Sequence, residues 1–217
     1  MPAKNKFESF YDVNKRKGDI AILGGSFNPI HNGHIAMAEA AHKQLGLDVV
    51  LMPNKTTYYK ENKVFAPDVD RLNMLKLVAE DKEYIYYSDL EIKRGGVTHT
   101  IDTIREFKDT DPDRTVYFII GGDSLEWVDK WVDADILLSM THFVTAVRGE
   151  TDKTRSQSII ERLTKEFPES HISLLDMDSI AISSSDIRHK VSDGISIDGL
   201  VPDDVNDYIN DNKLYKE

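Results

Sequence analysis

The chain has 217 residues, of which 40% are hydrophobic and 30% are charged, a composition typical of globular proteins and unlike that of disordered or fibrous chains. It contains no cysteine, which excludes disulfide bonds, a thiolate nucleophile and cysteine-ligated metal centres. The formal net charge of −11 argues against a protein that binds nucleic acid by covering phosphates with lysine and arginine. No apolar stretch approaches the roughly 18 residues of a membrane span, and no apolar signal-peptide run follows the N-terminal lysines. We therefore expect a cytoplasmic protein with neither nucleic acid nor membrane as a partner.

The charge is unevenly distributed along the chain. Residues 1–17 carry five basic and two acidic side chains, a net +3, so the remaining 200 residues carry −14. We expect an N-terminal arm over residues 1–18 and a single domain over residues 19–217. In so acidic a domain, a site for an anionic ligand has to be built locally from histidine, lysine, arginine and helix N-termini.

From Asp19 onward, short β-branched apolar runs alternate with amphipathic stretches. The predicted strands, in chain order, are DIAIL ending at Leu23, VVLM, YIYYSD, TVYFII, HFVTAV at 142–147 and HISLL. The first predicted helix begins near Gly33. The later ones cover DVDRLNMLKLVAED, residues 98–108, short segments through Leu138, and residues 155–166, 184–192 and 203–211. Continuous apolar strands are buried on both faces, and their alternation with crossover helices predicts an α/β fold with a doubly wound, mainly parallel sheet and helices on both faces. The long loop over 53–66 is typical of a functional segment.

The most informative stretch is the loop after the first strand, GGSFNPIHNGH. Ligands of open α/β sheets bind where strand ends meet helix N-termini, whose free N–H groups favour anions. Gly24 and Gly25 let the backbone approach a phosphate. His31 and His34, on either side of the helix start, can donate N–H groups to the same anion, so we expect alanine at either position to reduce turnover without moving the unfolding temperature. Two alternatives stay open, namely that the glycines form only a turn and that the histidines belong to a metal site.

The same eleven-residue string resembles the signature of the nucleotidyltransferase superfamily, whose HxGH histidines line the triphosphate of the nucleotide. Further along, TIDTIREFK, FIIGGDSLEWVDKW and ISSSDIRHKVSDGISIDGLVPDDVNDYINDNKLY resemble successive segments of bacterial nicotinate-nucleotide adenylyltransferases. The resemblance implies a Rossmann-like nucleotidyltransferase fold. It also implies the reaction of ATP, accompanied by Mg²⁺, with nicotinate mononucleotide to give deamido-NAD and pyrophosphate. The acceptor phosphate would attack the α-phosphorus directly, with no covalent intermediate.

The resemblance also implies roles for individual residues. It places catalysis on His31, His34, Lys60 and Arg188. It places ATP binding on Gly24, Gly25, Ser26, Phe27, Gly121, Asp123, Ile182, Ser183 and Ser184, acceptor binding on Asn54, Thr98, Thr100, Trp131 and Arg148, and no metal ligand on the protein. The residues by themselves leave plainer interpretations open: a helix cap for the serines at 183–185 or for Asp123, a solvated surface charge for Arg188 or Lys60, and a core aromatic for Trp131.

Two segments depart from the family pattern. Thr57, Tyr58 and Tyr59 stand where the family usually has Pro-Pro-His, and His99 stands where tyrosine is common. Both segments lie where the acceptor is expected, so another phosphorylated acceptor, such as nicotinamide mononucleotide, stays open as an alternative. A non-catalytic nucleotide-binding module and a metal-dependent histidine hydrolase are the alternatives from other functional classes. The sequence also leaves the oligomeric state open, with a homo-oligomer as one alternative.

Overall fold

The fold is built on one six-stranded sheet. The computed structural model describes residues 17–55, 66–147, 149–178 and 180–216. The strands are β1 (Ile20–Gly25), β2 (Val49–Pro53), β3 (Ile85–Tyr87), β4 (Val116–Gly121), β5 (His142–Val147) and β6 (His171–Asp176), in the spatial order β3-β2-β1-β4-β5-β6. Every neighbouring pair is parallel, which confirms the predicted doubly wound α/β sheet.

Most of the helices lie in the connections between these strands, and the last two follow β6. The helices are α1 (Asn32–Leu45), α2 (Asp68–Asp81), α3 (Leu90–Arg94), α4 (Thr100–Thr110), α5 (Gly122–Leu125), α6 (Ala134–Met140), α7 (Glu150–Glu166), α8 (Ser184–Ser192) and α9 (Asp203–Asp211), with a 3₁₀ turn at Val128–Lys130. In the described part of the chain, no helix is long and apolar enough to cross a membrane.

Alternating side chains of the strands build a separate core on each face of the sheet. On one face, Ala21 and Leu23 of β1 pack with buried residues of α1, α2, α8 and α9. On the other face, Ile20 and Ile22 pack with buried residues of α3 to α7. Helices therefore cover both faces, as predicted, and the four inner strands are mostly buried, whereas the edge strand β6 is mostly half-buried or exposed.

Several element boundaries differ from the sequence prediction, among them those of β1, α4 and α7. β1 continues past Leu23 to Gly25 because its two glycines pair with Met52 and Pro53 of β2. α7 begins at Glu150 instead of 155. The sequence pattern missed its first turn because the residues there are polar and show no apolar spacing, although an acidic residue such as Glu150 favours the positive end of a helix. α4 runs two residues later than predicted at both ends.

The direction of winding places a crevice at the carboxyl end of the sheet. The chain proceeds from β1 outward to β2 and β3, and then returns to place β4 on the opposite side of β1. Where the connections after two neighbouring strands run to opposite sides of the sheet, the strands form a topological switch point. Open α/β sheets bind ligands at such points. The loops after β1 and β4 therefore define the candidate site.

Candidate active site

The loop after β1 is shaped by close packing at its glycines. A Cβ on Gly24 would lie 2.8 Å from Cζ of Phe118, and a Cβ on Gly25 would lie 3.1 Å from Cζ of Phe27. The glycines thus have a packing reason of their own, and phosphate approach stays a prediction. Phe27 has a positive φ of 44° and a fully buried ring that meets His34 edge-on at 5.0 Å. Any contact of Phe27 with a ligand must therefore use its main chain.

His31 and His34 lie together at the start of α1, as predicted. Their rings stack with centroids 3.7 Å apart, and His31 is only 6% exposed. His31 is also the N-cap of the helix, because its Nδ1 accepts the backbone N–H of His34 at 3.3 Å. A ring nitrogen that accepts carries no proton, so the neutral imidazole has its proton on Nε2. His31 therefore has a structural task on one nitrogen and a donor on the other.

Gly33 is required by this arrangement. A Cβ at this position would lie 3.1 Å from both Cε1 and Nδ1 of His31, which would displace the imidazole that caps the helix. The middle of the HNGH string thus has a steric reason that does not depend on any ligand.

The start of α8 forms a second wall against the same loop. Ser183 is its N-cap and accepts the N–H of Asp186 at 3.1 Å, so the predicted capping interaction is present. Ser184 donates its hydroxyl to the carbonyl of Pro29 at 2.9 Å. Half-buried Ile182, just before the cap, packs against the first core cluster. The N-termini of α1 and α8 therefore flank a single loop, an arrangement suited to an anion.

Arg188 is part of this second wall. Its Nη1 donates to the main-chain oxygen of Asn28 at 2.8 Å, and the side chain is only partly exposed, so it is not a freely solvated surface charge. Burial lowers the pKa of the Arg188 guanidinium, but a guanidinium remains protonated in proteins. The structure therefore places a cation beside the loop that carries His31 and His34.

Two of the predicted acceptor residues, Asn54 and Thr98, lie at the segment that follows β2. The backbone N–H of Asn54 donates to the carbonyl of Gly25 at 3.0 Å, and the N–H of Lys55 donates to Oγ1 of Thr98 at 3.3 Å. Thr100 is the first residue of α4, directly after the segment with His99. The end of β2 and the start of α4 thus form one side of the crevice.

Trp131 has a different environment. It is half-buried and packs edge-on against Phe143 of β5, with ring centroids 6.0 Å apart. Trp127 is 64% exposed, so the two tryptophans do not share an environment. This packing of Trp131 is what the core-aromatic interpretation requires, and a role in acceptor binding stays a prediction.

The carboxyl ends of β4 and β5 open into a cleft against α7. Gly121, Gly122 and Ala146 line it together with side chains of α7, among them Arg155. Asp123 is exposed at the edge of this cleft, in the first turn of α5 rather than at its N-cap, which is Gly121. The capping interpretation of Asp123 is therefore wrong, and its side chain is available to a ligand in the cleft.

Some of the predicted residues are not described by the structure. Lys60, with Thr57, Tyr58 and Tyr59, and Arg148 lie outside the described residues. Within the described ranges, no group of three or more histidine, aspartate or glutamate side chains is placed to hold a metal ion.

Comparison with known proteins identifies the family. The family model described as cytidylyltransferase-like matches residues 22–190. A protein of Dehalococcoides mccartyi strain CBDB1, named "Probable nicotinate-nucleotide adenylyltransferase", is 38% identical over 89% of this chain and 95% of its own length. A protein of the same name from Desulfitobacterium hafniense strain DSM 10664 / DCB-2 is 34% identical over 94% of this chain and 99% of its own. The chain belongs to the nicotinate-nucleotide adenylyltransferase family.

Solved structures agree with this family at the level of the fold. The chain is similar to the Plasmodium falciparum nicotinic acid mononucleotide adenylyltransferase complexed with NaAD, with a TM-score of 0.74 and 23% identity over 92% of this chain and 98% of that one. The same Plasmodium falciparum enzyme complexed with APC gives a TM-score of 0.73 at 22% identity, covering 92% and 98% of the two chains. These likenesses confirm the Rossmann-like nucleotidyltransferase architecture that the sequence predicted.

In this adenylyltransferase-family chain, Arg71 is a buried residue beside the site that the sequence pattern did not single out. This side chain is 1% exposed and donates to the main-chain oxygens of Ser26 at 2.7 Å and Asn54 at 2.8 Å. It therefore joins the loop after β1 to the loop after β2. A signal was present in the sequence, because position 71 falls on the apolar face of α2 together with Met74 and Leu75.

Asp68 completes the interaction. It accepts a hydrogen bond from Arg71 at 2.6 Å, and its other carboxylate oxygen pairs with the ammonium of Lys55. Partial burial alone would raise the pKa of Asp68, but the hydrogen bonds from Lys55 and Arg71 outweigh it and lower that pKa. The carboxylate thus stays ionised and holds the Lys55 ammonium beside the end of β2.

Proposed function

We propose that this chain transfers the adenylyl group of ATP to nicotinate mononucleotide, giving deamido-NAD and pyrophosphate. The observation that carries the proposal is the meeting of two helix N-termini, α1 and α8, at one loop, which ends at His31 and is contacted by Arg188 of α8. Backbone N–H groups, an imidazole donor and a guanidinium are the groups that bind a triphosphate. The family relatives supply the identity of the reaction.

The reaction needs positioning more than acid–base chemistry. An oxygen of the acceptor 5′-phosphate forms a bond to the α-phosphorus of ATP, and the bond from that phosphorus to the bridging oxygen of pyrophosphate breaks. Because the acceptor phosphate is already ionised, no residue has to remove a proton. Negative charge moves onto pyrophosphate, where the Nε2–H of His31, the His34 imidazole and the Arg188 guanidinium stabilise it. Lys60 joins them in this proposal.

Mg²⁺ enters the reaction as part of the MgATP substrate. The donors that the structure brings together are nitrogen groups, which suit phosphate oxygens, whereas Mg²⁺ prefers oxygen ligands and keeps several waters. The triphosphate would therefore supply the main protein-site ligands of this ion, and the nitrogen groups of His31, His34 and Arg188 would hold the triphosphate. The ion offsets phosphate charge and helps to align the leaving pyrophosphate.

Acceptor choice depends on the crevice between the end of β2 and the start of α4. Nicotinate carries a carboxylate where nicotinamide carries an amide, so a site that prefers the acid needs donors and no nearby buried acid. The Thr98 hydroxyl, which accepts the Lys55 N–H and keeps its own proton to donate, offers such a donor, and Lys55 and Arg71 neutralise the nearby Asp68 carboxylate. We expect a preference for the acid of at least about tenfold in kcat/KM, or about 1.4 kcal/mol.

Pyrophosphate release from MgATP across a panel of mononucleotides tests the function. Release that requires nicotinate mononucleotide and yields deamido-NAD supports the proposal. Equal kcat/KM with the amide would overturn the acceptor assignment and leave adenylyl transfer intact. Binding of ATP without release under any condition would favour a nucleotide-binding module, and release that needs no acceptor would favour a hydrolase. The cytoplasmic location, the single domain and the oligomeric state stay predictions.

A further inference from the structure

The segment after α9 turns back onto the core. α9 ends at Asp211, and Lys213 and Tyr215 then take left-handed backbone angles, with φ of 52° and 62°. This reversal brings the Tyr215 side chain into the core cluster beneath the loop after β1, where it is 8% exposed. A tyrosine held so far from solvent needs a partner for its hydroxyl.

That partner is the side chain of Asn28, in the middle of the loop. The Tyr215 hydroxyl lies 3.0 Å from Oδ1 of Asn28, and the backbone N–H of Ala66 lies 2.9 Å from the same atom. A backbone N–H can only donate, so the amide atom facing Ala66 is the oxygen and the Tyr215 hydroxyl must also donate. Burial raises the pKa of Tyr215, which keeps the hydroxyl protonated at neutral pH.

Asn28 connects this hydroxyl to the anion site. Its side chain is held by Tyr215 and Ala66, while its main-chain oxygen accepts Nη1 of Arg188 at 2.8 Å. Asn28 is 1% exposed and follows Phe27, whose φ is positive, so the loop has little freedom to absorb a change. A rotation of the Asn28 side-chain amide therefore shifts the Asn28 main-chain carbonyl, which orients the Arg188 guanidinium.

We propose that Tyr215 is a positioning residue of the triphosphate site: its hydroxyl fixes Asn28, and Asn28 in turn fixes Arg188 and the backbone at Ala66. The proposal rests on the proposed function, because Arg188 acts there on the triphosphate. It assigns the segment after α9 a task in substrate binding beyond its packing in the core.

Two tyrosine-to-phenylalanine variants test the proposal. Tyr215→Phe keeps the ring and removes the donor to Asn28. Tyr208→Phe is the matched control, since Tyr208 also lies in this C-terminal region and its hydroxyl donates to Asp70 at 2.7 Å and accepts from Asn73 at 2.8 Å, outside the site. Each variant loses hydrogen bonds of one hydroxyl, so we expect similar, small decreases in unfolding temperature.

Ligand binding should distinguish the two variants. We expect Tyr215→Phe to bind a non-hydrolysable ATP analogue about fivefold more weakly, as measured by titration calorimetry. This factor corresponds to about 1 kcal/mol, the contribution of one hydrogen bond. The KM for ATP should rise by the same factor and the KM for the acceptor should stay unchanged. Tyr208→Phe should match the wild-type protein in all three quantities. Wild-type affinity in Tyr215→Phe, or an equal loss in Tyr208→Phe, would overturn the proposal.

Amide hydrogen exchange gives a readout that does not depend on turnover. The Ala66 amide should exchange faster in Tyr215→Phe than in Tyr208→Phe, because its acceptor has lost the second donor that holds it in place. Unchanged exchange would overturn the proposal. A wild-type protein that binds the ATP analogue but transfers no adenylyl group would contradict the proposed function only, and the affinities of the two variants would still decide the role of Tyr215.

Discussion

Replacing His31 by asparagine and by alanine should separate the two tasks that the structure gives this residue. Its Nδ1 caps α1 through the N–H of His34, and its Nε2 carries the donor proposed for the triphosphate. Asparagine places an amide oxygen near the position of Nδ1 and is among the best N-cap residues, but it has no group at the position of Nε2. Alanine replaces neither nitrogen.

The two variants should have similar activity and different stability. Loss of an N-cap costs about 1 kcal/mol, which lowers the Tm of a chain of this size by about 2–4 °C. We therefore expect that decrease for His31→Ala and a Tm close to the wild-type value for His31→Asn. Both should lose about 10²–10³ in turnover, the effect of removing one preorganised donor. The sequence by itself predicts an unchanged Tm for alanine, whereas the capping hydrogen bond is a physical reason to expect a decrease.

Calorimetric unfolding and steady-state pyrophosphate release measure the two effects on the same samples. His171→Asn is the control, because His171 is exposed at the amino end of β6, opposite the carboxyl edge that carries the site. It should leave turnover unchanged. Wild-type turnover in His31→Asn would refute the role of Nε2, and a Tm as low as that of His31→Ala would refute the role of Nδ1.

Three further perturbations test other parts of the structure. Gly24→Ala should cost about 1–3 kcal/mol by denaturant unfolding, and much less in a Phe118→Leu background, because its Cβ would lie 2.8 Å from that ring; additive losses would contradict this packing. Burial raises the pKa of Glu91 to about 7, although the hydroxyl of Thr103 donates to it, so the folded state binds the extra proton and stability falls as pH rises from about 4.5 to about 7. Glu91→Gln removes this dependence, so the Tm of the variant minus that of the wild type should increase as pH rises between those values. A Tm difference that stays constant with pH would show that burial does not perturb the carboxyl. Trp131→Ala should raise the KM of the acid and amide acceptors by the same factor, up to about tenfold for a lost aromatic contact, and a changed ratio would contradict simple stacking.

Several features of the molecule follow from local sequence signals alone. The parallel sheet is predictable because each strand is a continuous apolar run, and such strands need helices on both faces. The cap at Ser183 is predictable because small hydroxyl residues before an amphipathic stretch satisfy free N–H groups at a helix start. The anion site proposed at GGSFNPIHNGH follows from the sequence because the glycines and histidines lie at the end of a buried strand.

Other features depend on contacts that the sequence does not encode locally. Arg71 joins two loops through main-chain oxygens of Ser26 and Asn54, and a carbonyl oxygen is present at every residue, so the pattern of side chains does not reveal the partner. The capping role of His31 was hidden for a related reason, since histidine is not among the usual N-cap residues.

The contact between Tyr215 and Asn28 shows the same limit over the longest distance, because it joins residues 187 positions apart. Sequence determined which segments form strands, helices and the loop after β1, since those depend on neighbouring residues and on apolar periodicity. Only the tertiary structure decided which buried polar groups orient that loop. A buried donor must find an acceptor, and the acceptor it finds depends on how distant segments pack.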